Sequence, residues 1–172
     1  DGLSGRYITG QDIGTTAADV AMIATETKWV LGLPKSKQGS GDASQATALG
    51  LIAAMKATAA HVWGDDTLRE RVVAVQGLGK VGSRHVSCLL EEGSRVVVTD
   101  ATEKALASAP VGIDCEVVGV TEIFDVECDI FAPCALGGTL NQETIQRLRC
   151  SAVVGSANNA LATTEDALRL AD

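Results

Sequence analysis

From Arg71 onward the chain alternates short apolar runs with stretches of helical pattern. Val72-Val73-Ala74-Val75, Arg95-Val96-Val97-Val98-Thr99, Cys115-Glu116-Val117-Val118, Asp129-Ile130-Phe131-Ala132 and Ser151-Ala152-Val153-Val154 have the length and β-branched content of buried strands. Five such runs joined by helical crossovers predict an α/β fold, a Rossmann-type doubly wound parallel sheet. Upstream, Thr16-Ala17-Ala18-Asp19 has the form of a capping box and predicts a helix running toward Thr25. Leu33 to Asp42 predicts a polar loop. Ala48, Ile52, Met55, Ala59 and Val62 recur at spacings of three and four, one apolar stripe on a helix from about Ser44 to Trp63. Thr163 to Leu170 predicts a crossover helix leading to a sixth strand. The chain stops at Asp172, so the sheet is expected to be incomplete at its C-terminal end.

Composition narrows the picture. A length of 172 residues suits one domain with a buried core. Hydrophobic residues make up 46% against 21% charged, a balance that excludes disorder. The apolar residues are mostly aliphatic, as expected of strands covered on both faces. A net charge of −8 would repel a phosphate backbone, which argues against nucleic acid as a partner. The five cysteines are odd in number, never form a Cys-x-x-Cys pair and stand away from both histidines, so reduced thiols are expected and no metal site. No apolar run approaches the roughly 20 residues that span a bilayer, and Asp1-Gly2-Leu3-Ser4-Gly5 lacks the features of a secretory leader. A soluble, cytoplasmic protein without membrane contact is expected.

The chemistry is concentrated after the first strand. Gln76-Gly77-Leu78-Gly79-Lys80-Val81-Gly82 places Gly-x-Gly-x-x-Gly between a strand and a helix. In that context Gly77 permits a tight turn, Gly79 lets the backbone approach a pyrophosphate, and Gly82 lets the helix pack on the strand. The helix N-terminus at Lys80 and Val81 offers N–H groups and a positive dipole end to the phosphates. Asp100 ends the second strand, where a carboxylate accepts hydrogen bonds from the adenosine ribose hydroxyls and repels a 2′-phosphate; NAD is therefore expected rather than NADP. The alternative for Asp100 is an N-cap for the helix beginning near Ala101. Two further stretches follow the fourth and fifth strands, Ala132-Pro133-Cys134-Ala135-Leu136-Gly137-Gly138 and Gly155-Ser156-Ala157-Asn158-Asn159. Their position is that of a ligand in an open α/β sheet, although ordinary turns use the same residues.

Together with Tyr7-Ile8-Thr9-Gly10-Gln11-Asp12-Ile13-Gly14-Thr15, Gly39-Ser40-Gly41-Asp42 and Thr47-Ala48-Leu49-Gly50, these motifs resemble, in order and spacing, the leucine/valine/phenylalanine dehydrogenases of the amino acid dehydrogenase family. His61-Val62-Trp63-Gly64-Asp65 through Leu68-Arg69 looks most like the valine enzymes. The resemblance implies NAD-dependent oxidative deamination of an L-amino acid, branched-chain or aromatic, to a 2-oxo acid and ammonia. It implies that Asp12 is the catalytic aspartate and that Thr47 touches the nicotinamide carboxamide. Cys134, Ala135 and Leu136 would run along the cofactor, and Asn158 beside the nicotinamide ribose; Leu78 is a cofactor-binding candidate within the glycine loop. From the residues alone, Asp12 equally suits loop capping near Thr15, and Thr47 a bond to its own helix.

The family also carries, before this region, a substrate domain with two lysines, and after it an Asn-Ala-Gly-Gly segment and helices that help close the cleft. Nothing here matches either. The resemblance thus implies an NAD-binding domain over residues 1–172, with 1–70 as interdomain loop and helices and 71–172 as the βαβ core. The substrate domain is expected to be absent. A homo-oligomer is expected for the full-length parent. The alternative is a stand-alone dinucleotide-binding or regulatory module without catalysis.

Overall fold

The computed structural model describes residues 2–12, 14–34, 39 and 41–171, and the chain divides into two compact units, Asp1–Gln45 and Ala46–Asp172. Much of the loop expected between Leu33 and Asp42 lies outside the described residues.

In the first unit, α1 (Ala17–Glu26) begins as its sequence predicts. The Thr16 side chain accepts from the Asp19 N–H at 3.3 Å, and the Thr16 N–H donates to Asp19 Oδ2 at 2.7 Å. Thr9 and Val30 form a parallel bridge around it, closed by hydrogen bonds from Thr9 N–H to the Trp29 carbonyl and from Leu31 N–H to the Thr9 carbonyl. Among the described residues of this unit, Val20 and Val30 are the buried hydrophobic side chains.

The second unit holds the sheet. After α2 (Ser44–Trp63) come β1 (Val72–Gln76), α3 (Lys80–Glu91), β2 (Arg95–Thr99), α4 (Glu103–Leu106), β3 (Cys115–Val117), β4 (Ile130–Pro133), α5 (Gln142–Ile145), β5 (Ala152–Val153) and α6 (Glu165–Ala171). The strands pair in the order β3-β2-β1-β4-β5, all parallel, with Val73 opposite Val96 on one side and Ile130 on the other. This is the doubly wound Rossmann arrangement expected from the sequence.

Alternation along β1 assigns the two faces. Val73 and Val75 pack with Met55, Ala59, Val86 and Leu89 of α2 and α3, whereas Ala74 packs on the other face with Ile123, Phe124, Phe131 and Leu140. Fully burying a side chain such as Met55 or Leu89 contributes about 1.5–3 kcal/mol, so the two layers hold the sheet from both sides.

Two expectations change. The link from β3 to β4 is not an α-helix but a single 3-10 turn, Glu122–Asp125, whose Ile123 and Phe124 fill the second face. Bidentate contact of the Arg147 guanidinium with Asp125, at 3.0 and 2.7 Å, pins that turn to the segment after α5. Val62 is 41% exposed instead of completing the α2 stripe. The last helical turn packs through Trp63, which the Arg71 guanidinium covers at 4.1 Å, and this directs Val62 to solvent.

Candidate nucleotide-binding site

The glycine-rich loop leaves β1 at Gly77, whose N–H donates to the Thr99 carbonyl at 2.8 Å. Gly77 sits at φ +101°, a conformation that side chains rarely adopt, and a Cβ there would stand 2.8–2.9 Å from the backbone and Cβ of Ala135. A Cβ on Gly82 would collide with the Gly77 carbonyl, so α3 can press against the loop only because this position is glycine. Gly79 differs from both. It is the N-cap of α3, supplies no side chain to cap the first turn, and a Cβ there would meet nothing within 4 Å. Open space therefore faces a helix N-terminus at the position where a phosphate group needs it. Leu78 is buried, Gly79 and Lys80 are exposed, and Ser83 Oγ steadies the turn by donating to the Leu78 carbonyl at 2.6 Å.

Asp100 stands immediately after β2 with both carboxylate oxygens engaged. The Leu78 N–H donates to Oδ2 at 2.7 Å, while the N–H and the hydroxyl of Thr102 both donate to Oδ1 at 2.8 Å. The N-cap of α4 is Thr102, not Asp100. Partial desolvation pushes the Asp100 carboxyl up, but the hydrogen bonds from Leu78 and Thr102 outweigh it and hold the group below the usual carboxylate value. Among the described residues Oδ2 accepts one donor, which leaves it a lone pair for another.

The stretches after β4 and β5 meet beside this loop. The Cys134 N–H donates to the Gln76 carbonyl at 2.8 Å, and Cys134 Cβ lies 3.5 Å from where a Gly82 Cβ would be. Burial pushes the Cys134 thiol up, partly offset by the nearby hydroxyl and N–H of Ser156. The N–H groups of Ser156 and Ala157 donate to the Pro133 carbonyl at 2.9 Å, and that of Gly138 to the Asn159 carbonyl at 2.8 Å. Ala135, Leu136 and Asn158 remain exposed on these joined loops.

Thr47 is exposed in the first turn of α2, next to buried Ala48. The Ala48 carbonyl faces His85 of α3, which is fully buried and has neither ring nitrogen in a hydrogen bond of normal geometry. Burial lowers the His85 pKa to about 4, only partly offset by that carbonyl. Asp12 belongs to the first unit, where it is exposed in a turn closed by Thr15: Thr15 Oγ1 accepts from the Asp12 N–H at 2.7 Å and donates to the Asp12 carbonyl at 2.8 Å.

The glutamate/leucine/phenylalanine/valine dehydrogenase family matches the chain over residues 39–118. Leucine dehydrogenase of Thermoactinomyces intermedius is 48% identical over 160 residues, which are 93% of this chain and 44% of that enzyme. The chain belongs to this family. Phenylalanine dehydrogenase of the same organism is 46% identical over 162 residues, 93% of this chain and 44% of the relative. The crystal structure of L-tryptophan dehydrogenase from Nostoc punctiforme superposes with a TM-score of 0.77 at 38% identity, covering 99% of this chain and 48% of that one. The chain thus spans less than half the length of the dehydrogenases it matches.

The sequence-predicted residues Gly77, Leu78, Gly79, Lys80, Val81, Gly82, Asp100, Cys134, Ala135 and Leu136 converge on one end of the sheet, with Asn158 beside Gly137. Sequence reasoning missed Thr102, Ser83 and Ser156. For Thr102 a signal exists, because Asp followed two residues later by Thr is an Asx-turn pattern. Ser83 lies only five residues from its partner Leu78, whereas Ser156 acts across loops that only the fold brings together.

Proposed function

We propose that this chain is the NAD-binding part of an amino acid dehydrogenase that oxidatively deaminates a branched-chain or aromatic L-amino acid to its 2-oxo acid and ammonia. The observation that carries the cofactor half is Asp100 tied to Leu78, beside a glycine loop with open space at Gly79. The dehydrogenase half rests on similarity to leucine and phenylalanine dehydrogenases across 93% of the chain.

The residues present fit a dinucleotide. The N-terminus of α3 at Gly79, Lys80 and Val81 would hold the pyrophosphate, since the helix carries positive partial charge there. Asp100 would accept from a ribose hydroxyl and disfavour a 2′-phosphate, which selects NAD over NADP. Cys134, Ala135 and Leu136 would line the cofactor, with Asn158 at the nicotinamide ribose and Thr47 at the carboxamide. When bound, the nicotinamide supplies a hydride acceptor.

Asp12 would move protons at the substrate amine and at the attacking water in the complete enzyme. The resemblance implies two lysines in a substrate domain, one for the substrate carboxylate and one as general base, so turnover is assigned to a protein that carries both domains and cofactor binding to this chain. The test is titration of the chain with NADH and NADPH by fluorescence, together with an assay of valine, leucine and phenylalanine on a protein that also carries the substrate domain. NADH binding at least tenfold tighter than NADPH, with turnover only in the longer protein, is expected. Equal affinity for both dinucleotides would overturn the assignment.

A further inference from the structure

Cys128 and Cys150 lie far apart in sequence but meet at the N-terminal ends of β4 and β5. Glu127 stands opposite Arg149, and Ile130 opposite Ala152, both in parallel pairing and with the same offset of 22 residues. That register puts Cys128 directly opposite Cys150, and the Cys128 N–H donates to the Arg149 carbonyl at 3.1 Å. Neighbouring strands run about 4.8 Å apart, inside the Cα separation a disulfide accepts. Both side chains lie on the face that holds Phe124 and Phe131, both are half-buried, and both are free thiols.

We propose that Cys128 and Cys150 are an oxidisable dithiol that a peroxide converts to an intramolecular disulfide across the β4–β5 ladder. Cys150 is the attacking sulfur. The neighbouring Cys128 thiol and the N–H groups of Phe131 and Ala152 favour its thiolate, which holds Cys150 below the usual thiol value against its own desolvation; the same neighbour and burial push Cys128 up. The Cys150 thiolate attacks a peroxide oxygen, the O–O bond breaks, and the departing hydroxide takes a proton to leave as water. Cys150 is then a sulfenic acid. Cys128 sulfur attacks it, losing its proton as the S–O bond breaks, and a second water leaves. Two thiols and one peroxide give one disulfide and two waters.

The ligand-facing loops 134–138 and 155–159 follow the opposite, C-terminal ends of the same strands. Thiol chemistry therefore reads this pair independently of nucleotide binding. The purified 172-residue chain is treated with stoichiometric hydrogen peroxide, alkylated and digested without reduction for mass mapping. Two of the five thiols are expected to disappear together, with the Cys128 and Cys150 peptides linked, and dithiothreitol to restore all five. In Cys128→Ser the reaction stops at a sulfenic acid on Cys150 that dimedone traps. A link involving Cys88, Cys115 or Cys134, a sulfenic acid persisting on Cys150 of the unaltered chain, or five thiols surviving treatment would each overturn the proposal.

Discussion

The Leu78 N–H donates to Asp100 Oδ2 at 2.7 Å, so the glycine-rich turn and the carboxylate after β2 are a single braced element. The brace fixes where the remaining lone pairs of the carboxylate point. It also joins the two parts of the proposed nucleotide site, the glycine-rich turn and the carboxylate, and substitutions at Asp100 are expected to act on both.

Asp100→Ala is expected to weaken NADH binding by about ten- to a hundredfold, the range for losing hydrogen bonds to a charged group. NADPH binding should fall far less, because the repulsion of its 2′-phosphate is removed at the same time. Thr102→Val, which removes one donor from Oδ1 and leaves the Leu78 bond intact, should stay within a few fold of the parent. Paired fluorescence titrations of the three proteins test this. An unchanged NADH:NADPH ratio in Asp100→Ala would reduce Asp100 to a turn-forming residue.

Gly79→Ala and Gly82→Ala should separate binding from folding. A methyl at Gly82 meets the Gly77 carbonyl backbone, and overpacking of this kind costs about 1–3 kcal/mol, so its melting temperature should drop by several degrees. A methyl at Gly79 enters open space, leaves the melting temperature within about 1 °C, and obstructs the pyrophosphate. Calorimetry and NADH titration on both variants decide the matter; parental NADH affinity in Gly79→Ala would place the phosphates elsewhere.

His85 predicts a pH dependence of stability. Its folded-state pKa, about 4, lies below the unfolded value of 6.5, so between those values the unfolded chain binds the extra proton. Stability from this group is complete above pH 6.5 and is lost as pH falls toward 4, by roughly 3 kcal/mol in all at about 1.4 kcal/mol per pKa unit. His85→Met, similar in volume and without a titrating group, should flatten the profile between pH 6.5 and 4 relative to the parent. Urea denaturation at closely spaced pH values measures the difference, and parallel profiles for the two proteins would refute it.

Asp12→Asn is best examined in a protein that includes the substrate domain. Turnover is expected to fall by about two to four orders of magnitude, with NADH affinity within a few fold, the signature of a group that moves protons without holding the cofactor. Near-parental turnover would assign Asp12 to the turn it forms with Thr15.

The sequence by itself determined the elements whose information is local. Strand runs from Val72 to Val153 appear within a residue or two of their expected places, and the central strands β1 and β4 are the clearest, because a strand buried on both faces must be a continuous apolar run. The Thr16 and Asp19 capping box is likewise a matter of three residues of spacing, and the glycine fingerprint declares itself because only glycine tolerates φ +101° at position 77 or the approach of α3 at position 82. Tertiary structure decided every relationship that crosses between strands. Parallel register, set by which faces are buried, put Ala135 against Gly77, brought the Asp100 carboxylate to the Leu78 N–H, and placed Cys128 opposite Cys150, cysteines that look scattered along the chain. The same packing turned Val62 outward and enclosed His85, since a helical stripe fixes which side chains share a face, while the neighbour laid against that face fixes which of them lose water.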